Sequence, residues 1–268
     1  MIMVLDVGNT QAVLGIYDGR HLLADCRLTT DRSRTVDEYG LMIQSFLASK
    51  GINQTRLEAI VLSSVVPPVT GLFIKMSREY FHLEPLVVGP GIRTGLPIRY
   101  ENPKEVGADR VVNAVAAIKL YGPPLIVVDF GTATTFCAIN QKGEYLGGII
   151  VPGLHISAEA LFRKAAKLPR VELTPPQKVI GRNTVSSIQA GLIYGYTDLV
   201  DGLINRLQKE MSALPESGGR IRVVATGGLA ELIAAESRRI EEVNPILTLE
   251  GLRIIYEMNQ DELGVRSL

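Results

Sequence analysis

Cysteine, histidine, aromatic rings and net charge are all scarce in this 268-residue chain. The two cysteines, Cys26 and Cys137, lie far apart in apolar, strand-like surroundings. They are expected to be buried free thiols, which excludes a disulfide framework and suits a reducing cytoplasm. The three histidines, His21, His82 and His155, show no metal-ligand spacing. Basic and acidic residues balance to a net charge of zero. That balance removes the electrostatic case for a nucleic-acid partner. No uninterrupted apolar run approaches transmembrane length, so no membrane association is expected. The N-terminus lacks a basic region and meets Asp6 within its first apolar stretch, which does not read as a signal peptide. The phosphate-binding signature G-x-x-x-x-G-K-[ST] is absent. "GPGIRTG", Gly89 to Gly95, is superficially like a dinucleotide fingerprint, but its spacing is wrong and it runs into Pro97 rather than a helix.

What remains is an aliphatic chain, 46% hydrophobic with only 6% aromatic residues, long enough for one or two domains with a proper core. Its organisation is repetitive. Ile2–Val7 reads as a buried strand, Gly8-Asn9 as a turn, Ala12–Tyr17 as a second strand, Asp18-Gly19 as a hairpin turn and His21–Leu28 as a third strand. The second half repeats this with Leu125–Asp129, a turn at Gly131-Thr132, Thr134–Asn140, a turn at Lys142-Gly143 and Tyr145–Val151. Helical spacing follows each meander. It covers Thr35–Ser49 and Pro68–Phe81 in the first half, with strands at Ala59–Ser63 and Pro85–Val88. In the second half, helices are predicted from Gly153 through Lys167, from Thr184 to about Leu214, after the glycine pair Gly227-Gly228, and over Leu249–Glu257, with a strand at Ile221–Ala225. A duplicated unit accounts for the pattern, each copy a mixed sheet flanked by helices. The break is placed around Val115–Pro124, giving domains 1–117 and 118–268. The tail after Met258 has no pattern and is expected to fray.

Three motifs carry chemistry. In "VLDVGNT", a strand delivers Asp6 at its end, Gly8 permits a close backbone turn, and Asn9 and Thr10 add donors. Donors around one carboxylate suit a magnesium-bound polyphosphate, whereas an isolated copy could be a plain Asx-type hairpin. The phrase returns as "VVDFGTATT", Val127 to Thr135, at the equivalent point of the repeat. "VVATGGLA", Val223 to Ala230, runs a strand into a glycine pair, either a tight turn or a place where a nucleotide approaches a helix N-terminus. "GADR", Gly107 to Arg110, opens an apolar helical stretch. Asp109 there is either a helix cap or the carboxylate that takes a proton from an alcohol, with Arg110 a fixed cation beside it. Finally, Gly191 and Gly195 share one face of the helix in "TVSSIQAGLIYGY". Each costs a helix interior about 1 kcal/mol, so a close neighbour is expected, either in the same subunit or across a subunit interface.

The strand–Asp–Gly loop found twice, together with "ATGG", resembles the sugar kinase, actin and heat-shock ATPase superfamily. "DVGNT", "GADR", "DFGTATTF", "GGIIVPG" and "ATGG" in this order resemble the type III pantothenate kinase family, over essentially the whole chain. The resemblance implies two ribonuclease-H-like domains with an ATP cleft between them. It implies transfer of phosphate from ATP, with Mg2+, to pantothenate, giving 4′-phosphopantothenate, the first step toward coenzyme A. By the same resemblance, Asp6, Val7, Gly8, Asn9, Thr10, Gln11, Ala12 and Val13 form an ATP loop, with Thr132 as a further ATP contact. Asp109 is the general base, and Tyr100, Gly107, Ala108, Asp109, Arg110 and Thr184 hold pantothenate. Asp129 holds a monovalent cation, K+ or NH4+, and the protein is a cytoplasmic homodimer. Two rivals keep the fold: a non-catalytic nucleotide-binding regulator of the Bvg accessory factor kind, and a kinase of another small alcohol.

Overall fold

The computed structural model describes residues 1–215 and 218–260. They fall into two compact units. Unit 1 holds Met1–Leu96, Asn102–Ala116 and the segment from Leu247, and unit 2 holds Pro97–Glu101 and Ala117–Ile246.

In unit 1, β1 (Ile2–Val7), β2 (Gln11–Asp18) and β3 (His21–Thr29) form the expected meander, followed by α1 (Val36–Ser49), β4 (Ala59–Ser64), α2 (Pro67–Phe81) and β5 (Leu86–Val87). The sheet order is β3-β2-β1-β4-β5, antiparallel across the meander and parallel from β1 to β4 and β5. Local chemistry sets the ends. Gly19 takes φ +56° in the β2–β3 turn. Thr35 and Glu38 make a reciprocal capping box at the start of α1. Pro67 opens α2, and His82 closes it in the left-handed region at φ 56°. Met3, Leu5 and Val7 on β1 point into a core shared with Tyr39 and Ile43 of α1 and Phe73 and Met76 of α2. The alternate residues, Ile2, Val4 and Asp6, face the other way. That second face is covered by α7 (Leu247–Asn259).

Unit 2 repeats the plan. β6 (Leu125–Phe130), β7 (Ala133–Ile139) and β8 (Tyr145–Pro152) form the meander, then come α4 (Leu154–Lys164), α5 (Thr184–Ser212), β9 (Arg222–Gly227), α6 (Ala230–Ala234) and β10 (Glu242–Val243). The sheet order is β10-β9-β6-β7-β8 with the same pattern of directions. Ile126, Val128 and Phe130 pack on Ile193, Val200 and Ile204 of α5. The remaining helix, α3 (Ala108–Tyr121), has its first nine residues in unit 1 and its last five in unit 2.

Several expectations need correction. One boundary at 117/118 does not describe the units, because the chain crosses between them more than once. α7 is held by unit 1, where Gly251 packs so closely on the Val112 carbonyl that a side chain there would collide with it. Residues 97–99 pair with β8 in unit 2, through Tyr145 N–H to Pro97 O at 2.9 Å and Arg99 N–H to Tyr145 O at 2.8 Å. The helix after Gly227-Gly228 is only five residues long and starts at Ala230, not at the glycines. α4 stops at Lys164, short of Lys167, where the chain turns through Leu168 N–H to Ala165 O at 3.1 Å before Pro169. Cys137 is buried but Cys26 only half-buried, its thiol pushed up to about 11 by burial, and neither is in a disulfide. Of the two neighbours expected for Gly191 and Gly195, one within the same chain is not found among the described residues, since a Cβ at either would meet nothing within 4 Å. Of the tail expected to fray, residues 261–268 lie outside the described residues.

Candidate active site

Asp6 and Asp129 occupy the same place in their own units. Each is the penultimate residue of the central strand, half-buried, behind four buried aliphatic residues. Asp6 sits in register with Val13 on β2 and Ser63 on β4, and Asp129 with Thr135 on β7 and Thr226 on β9.

The loop after Asp6 is fastened from three sides. Gly8 N–H donates to Gln11 O at 3.0 Å, Thr30 N–H donates to Thr10 O at 3.0 Å, and the Thr30 hydroxyl donates to Gly8 O at 2.7 Å. Thr30, just past the end of β3, is not marked out by the sequence; only the pairing of β3 with β2 brings it here. Asn9, Thr10 and Gln11 are exposed, whereas Val7 and Ala12 are fully buried in the core. Within residues 6–13, polar side chains are therefore available from Asp6 and 9–11, and Val7 and Ala12 can offer a ligand only backbone groups.

Asp109 lies in the first turn of α3, in unit 1. Its carboxylate accepts the Arg110 N–H at 2.8 Å. Burial pushes its pKa up, against the opposing pull of the backbone N–H bond and the Arg110 guanidinium. Arg110 itself is buried. The glycine two residues earlier makes this placement possible: a Cβ on Gly107 would lie 2.5 Å from Asp109 Oδ1. The same Cβ would lie 3.7 Å from Val65 Cγ1, and Val65 N–H donates to Val7 O at 3.1 Å. Asp6, Ser63, Val65 and the GADR turn thus gather at one edge of the unit 1 sheet, at the C-terminal ends of β1 and β4. Ala108, the first residue of α3, is half-buried there.

In unit 2, Gly227 ends β9 at φ +92° beside Asp129. A Cβ on it would lie 2.7 Å from Asp129 Oδ1 and 2.7 Å from Phe130 O. Its missing side chain leaves the carboxylate and a carbonyl open to one point. Thr132 is exposed in the β6–β7 turn, and its carbonyl accepts from Gly153 N–H at 3.2 Å. Tyr100 lies in unit 2, edge-on to Tyr145 with centroids 6.4 Å apart. Thr184 is the exposed first residue of α5, beside its N-cap Asn183, and lines a groove of about 620 Å³ with Gly181, Ser187 and Gly191.

Among the described residues, no group of three or more His, Cys, Asp or Glu is placed to hold a metal ion. A divalent cation here would need a donor set of one carboxylate, water and phosphate oxygens, which is how magnesium accompanies nucleotides.

A mixed five-stranded meander sheet present twice, each copy with an acid at the tip of its central strand, defines a class of duplicated α/β fold shared with solved structures. A Baf-family protein from Campylobacter jejuni shares the fold at TM-score 0.60, with 18% identity and coverage of 97% of this chain and 100% of that one. The activator of 2-hydroxyisocaproyl-CoA dehydratase from Clostridium difficile, with bound ADPNP, shares it at TM-score 0.52, with 14% identity over 100% of this chain and 98% of that one. Within that class, the chain belongs to the type III pantothenate kinase family, whose model matches residues 2–206. A type III pantothenate kinase from Geobacter sulfurreducens is 56% identical over 261 residues, 97% of this chain and 100% of the relative. One from Geobacillus kaustophilus is 55% identical over 264 residues, 98% of this chain and 100% of the relative.

Proposed function

We propose that this chain transfers the γ-phosphoryl group of ATP to the primary hydroxyl of pantothenate, giving ADP and 4′-phosphopantothenate at the entry to coenzyme A synthesis. Membership of the family carries the choice of substrate. The observation that carries the chemistry is the meeting, at one sheet edge of unit 1, of a carboxylate-bearing backbone loop with a second carboxylate whose basicity burial has raised.

Asp109 is the general base. It accepts the proton of the attacking hydroxyl as oxygen bonds to phosphorus and ADP departs. Its raised pKa makes it a stronger base than an ordinary carboxylate, and the Arg110 N–H fixes its orientation. Arg110, Gly107, Ala108, Tyr100 and Thr184 orient pantothenate, Arg110 by offering a cation to its carboxylate. Residues 6–13 and Thr132 hold ATP, largely through backbone N–H groups. Magnesium bound with the nucleotide would supply charge neutralisation at the phosphates, and Asp6 is the residue that would face it. Asp129, open toward the Phe130 carbonyl because position 227 is glycine, would hold the monovalent cation.

The working form is a homodimer. The open face at Gly191 and Gly195, with Val185 and Leu199 exposed on the same helix, supports this. Its place is the cytoplasm, where ATP is available and free cysteines persist. No membrane or nucleic-acid partner is expected; no helix among the described residues is long and apolar enough to cross a membrane.

The deciding experiment is an ADP-release assay over a panel of small alcohols, with and without potassium. ADP release that requires pantothenate is the expected result. Release with another alcohol in its place, or nucleotide binding with no turnover on any acceptor, would replace this reading with one of its rivals.

A further inference from the structure

Ser63 is the last but one residue of β4 and is completely buried. Its hydroxyl has no hydrogen-bond partner. Two buried hydroxyls on helices are used within those helices: Ser77 donates to Phe73 O at 2.8 Å and Thr197 to Ile193 O at 2.9 Å. A strand offers Ser63 no such carbonyl, since strand carbonyls are engaged in the ladder. A buried polar group without a partner is costly, and alanine would fill nearly the same space without that cost. The presence of a hydroxyl here therefore asks for a use.

The sheet supplies one. Ser63 is the register partner of Asp6 on the adjacent parallel strand. Register partners in a parallel pair project from the same face, with strands about 4.8 Å apart, so a serine hydroxyl and an aspartate carboxylate can meet across that gap. Unit 2 repeats the arrangement, with Thr226, also buried, as the register partner of Asp129. In both units, the residue beside the central-strand acid is a hydroxyl amino acid preceded by at least three buried apolar residues.

We propose that Ser63 is a positioning residue for Asp6. Its hydroxyl, which has no partner in this structure, is the donor that orients the Asp6 carboxylate once a nucleotide-bound divalent cation draws that carboxylate into place. The proposal rests on the reading of Asp6 as the carboxylate that faces magnesium. Ser63 touches neither substrate nor phosphate and acts only through Asp6.

The test measures the affinity of a non-hydrolysable ATP analogue by calorimetry, with Mg2+ and in EDTA, together with the melting temperature of the ligand-free protein. Wild type is compared with Ser63→Ala, Ser63→Thr and Asp6→Asn. Loss of a hydrogen bond to a charged group predicts that Ser63→Ala weakens the Mg2+-dependent affinity about tenfold or more. Affinity in EDTA stays unchanged, and the melting temperature is equal or higher. Ser63→Thr, which keeps the hydroxyl, restores the Mg2+ dependence. An unchanged Mg2+ dependence in Ser63→Ala, with Asp6→Asn impaired, overturns the proposal and leaves the Asp6 reading standing. An unchanged Mg2+ dependence in Asp6→Asn overturns both. A lower melting temperature in Ser63→Ala without loss of Mg2+ dependence makes the serine merely structural and also overturns the proposal.

Discussion

The tips of β1 and β6 are built alike and finished differently. Both strands run four buried aliphatic residues, a half-buried aspartate and a buried apolar residue. Both acids point to the sheet face opposite the core that each meander shares with its helices. The difference lies one residue further along the neighbouring parallel strand. Beside Val7 stands Ser64, whose hydroxyl accepts Val66 N–H at 3.2 Å and the Thr70 hydroxyl at 2.7 Å. Beside Phe130 stands Gly227, in a backbone conformation that disfavours any side chain. The first tip is therefore closed by a hydrogen-bonded turn leading into α2, while the second is left open against its own carboxylate. On the proposed reading, the duplicated frame keeps one acid for a divalent cation travelling with phosphate and gives the other to a larger, less demanding ion. Magnesium requires near-ideal octahedral geometry, whereas a monovalent ion tolerates an irregular set of carbonyl and carboxylate oxygens.

The sharpest way to break this comparison is to change the two acids in turn. Asp6→Asn is expected to abolish phosphoryl transfer in any salt, with stability changed only within the narrow range usual for residues outside the core, about 0.5 kcal/mol. Asp129→Ala is expected to lose only the activation by potassium or ammonium and to fall to the rate seen in sodium. Steady-state rates in potassium, ammonium and sodium separate the two. Equal wild-type rates in sodium and potassium would remove the monovalent site and return Asp129 to the magnesium role that the repeat alone suggests.

Asp109 has no counterpart in the second unit's meander, so it tests what unit 1 adds to the shared frame. Asp109→Asn should lower kcat by about 10²–10⁴-fold, the range for a positioned general base. Nucleotide affinity should stay near wild type, and circular dichroism should report a native fold. Near-normal turnover would take Asp109 out of the mechanism and leave it the helix cap that its position in α3 also permits.

A smaller effect distinguishes the two glycines at the tips. Gly227→Ala forces a side chain into φ +92° and to within 2.7 Å of Asp129 Oδ1, whereas Gly8→Ala meets only the Gln11 carbonyl at 3.2 Å. Strain at a sparsely populated backbone conformation costs about 1–3 kcal/mol. Gly227→Ala should therefore melt measurably lower and lose cation activation together, while Gly8→Ala should be the milder change in melting temperature. The reverse ranking would mean that the first tip, not the second, depends on an absent side chain.

Much of this frame was legible in the sequence, because period-2 burial and turn residues act locally. The six meander strands and both aspartates fall where apolar runs meet glycine. The parts that were not legible depend on contacts distant in sequence. "AELIAAES" is made of good helix formers, yet α6 ends at Ala234. Asp201 of α5 accepts the Ser237 hydroxyl at 2.5 Å and Arg238 N–H at 2.9 Å, tying the chain there. β10 has two residues and exists only through its pairing with β9. The return of α7 to unit 1 could not be read as a break along the chain. Ser63 reads as an ordinary strand end until its burial and its register with Asp6 are known.

The smallest expected effect is on stability, and its sign follows from the burial of Asp109. The folded protein holds the Asp109 proton more tightly than the unfolded chain does, because its pKa is raised, with burial the largest cause. Ionising that carboxylate then costs the folded state. The stabilising contribution of the protonated form is complete below the ordinary carboxylate pKa and is lost as pH rises through the raised folded value. Asparagine can still accept the Arg110 N–H but carries no charge to bury. Asp109→Asn should therefore be as stable as wild type or more stable at pH 7, while the two converge under acid conditions where wild-type Asp109 is protonated. Urea denaturation of both proteins at the two pH values checks this, and taking the difference cancels the titration of other carboxylates. A variant less stable than wild type at pH 7 would show that the charged carboxylate's bonds to the first turn of α3 outweigh its burial. The raised basicity assigned to Asp109 would then have to be given up, and with it the expectation that the acid limb of the kcat/KM profile lies above the ordinary carboxylate range.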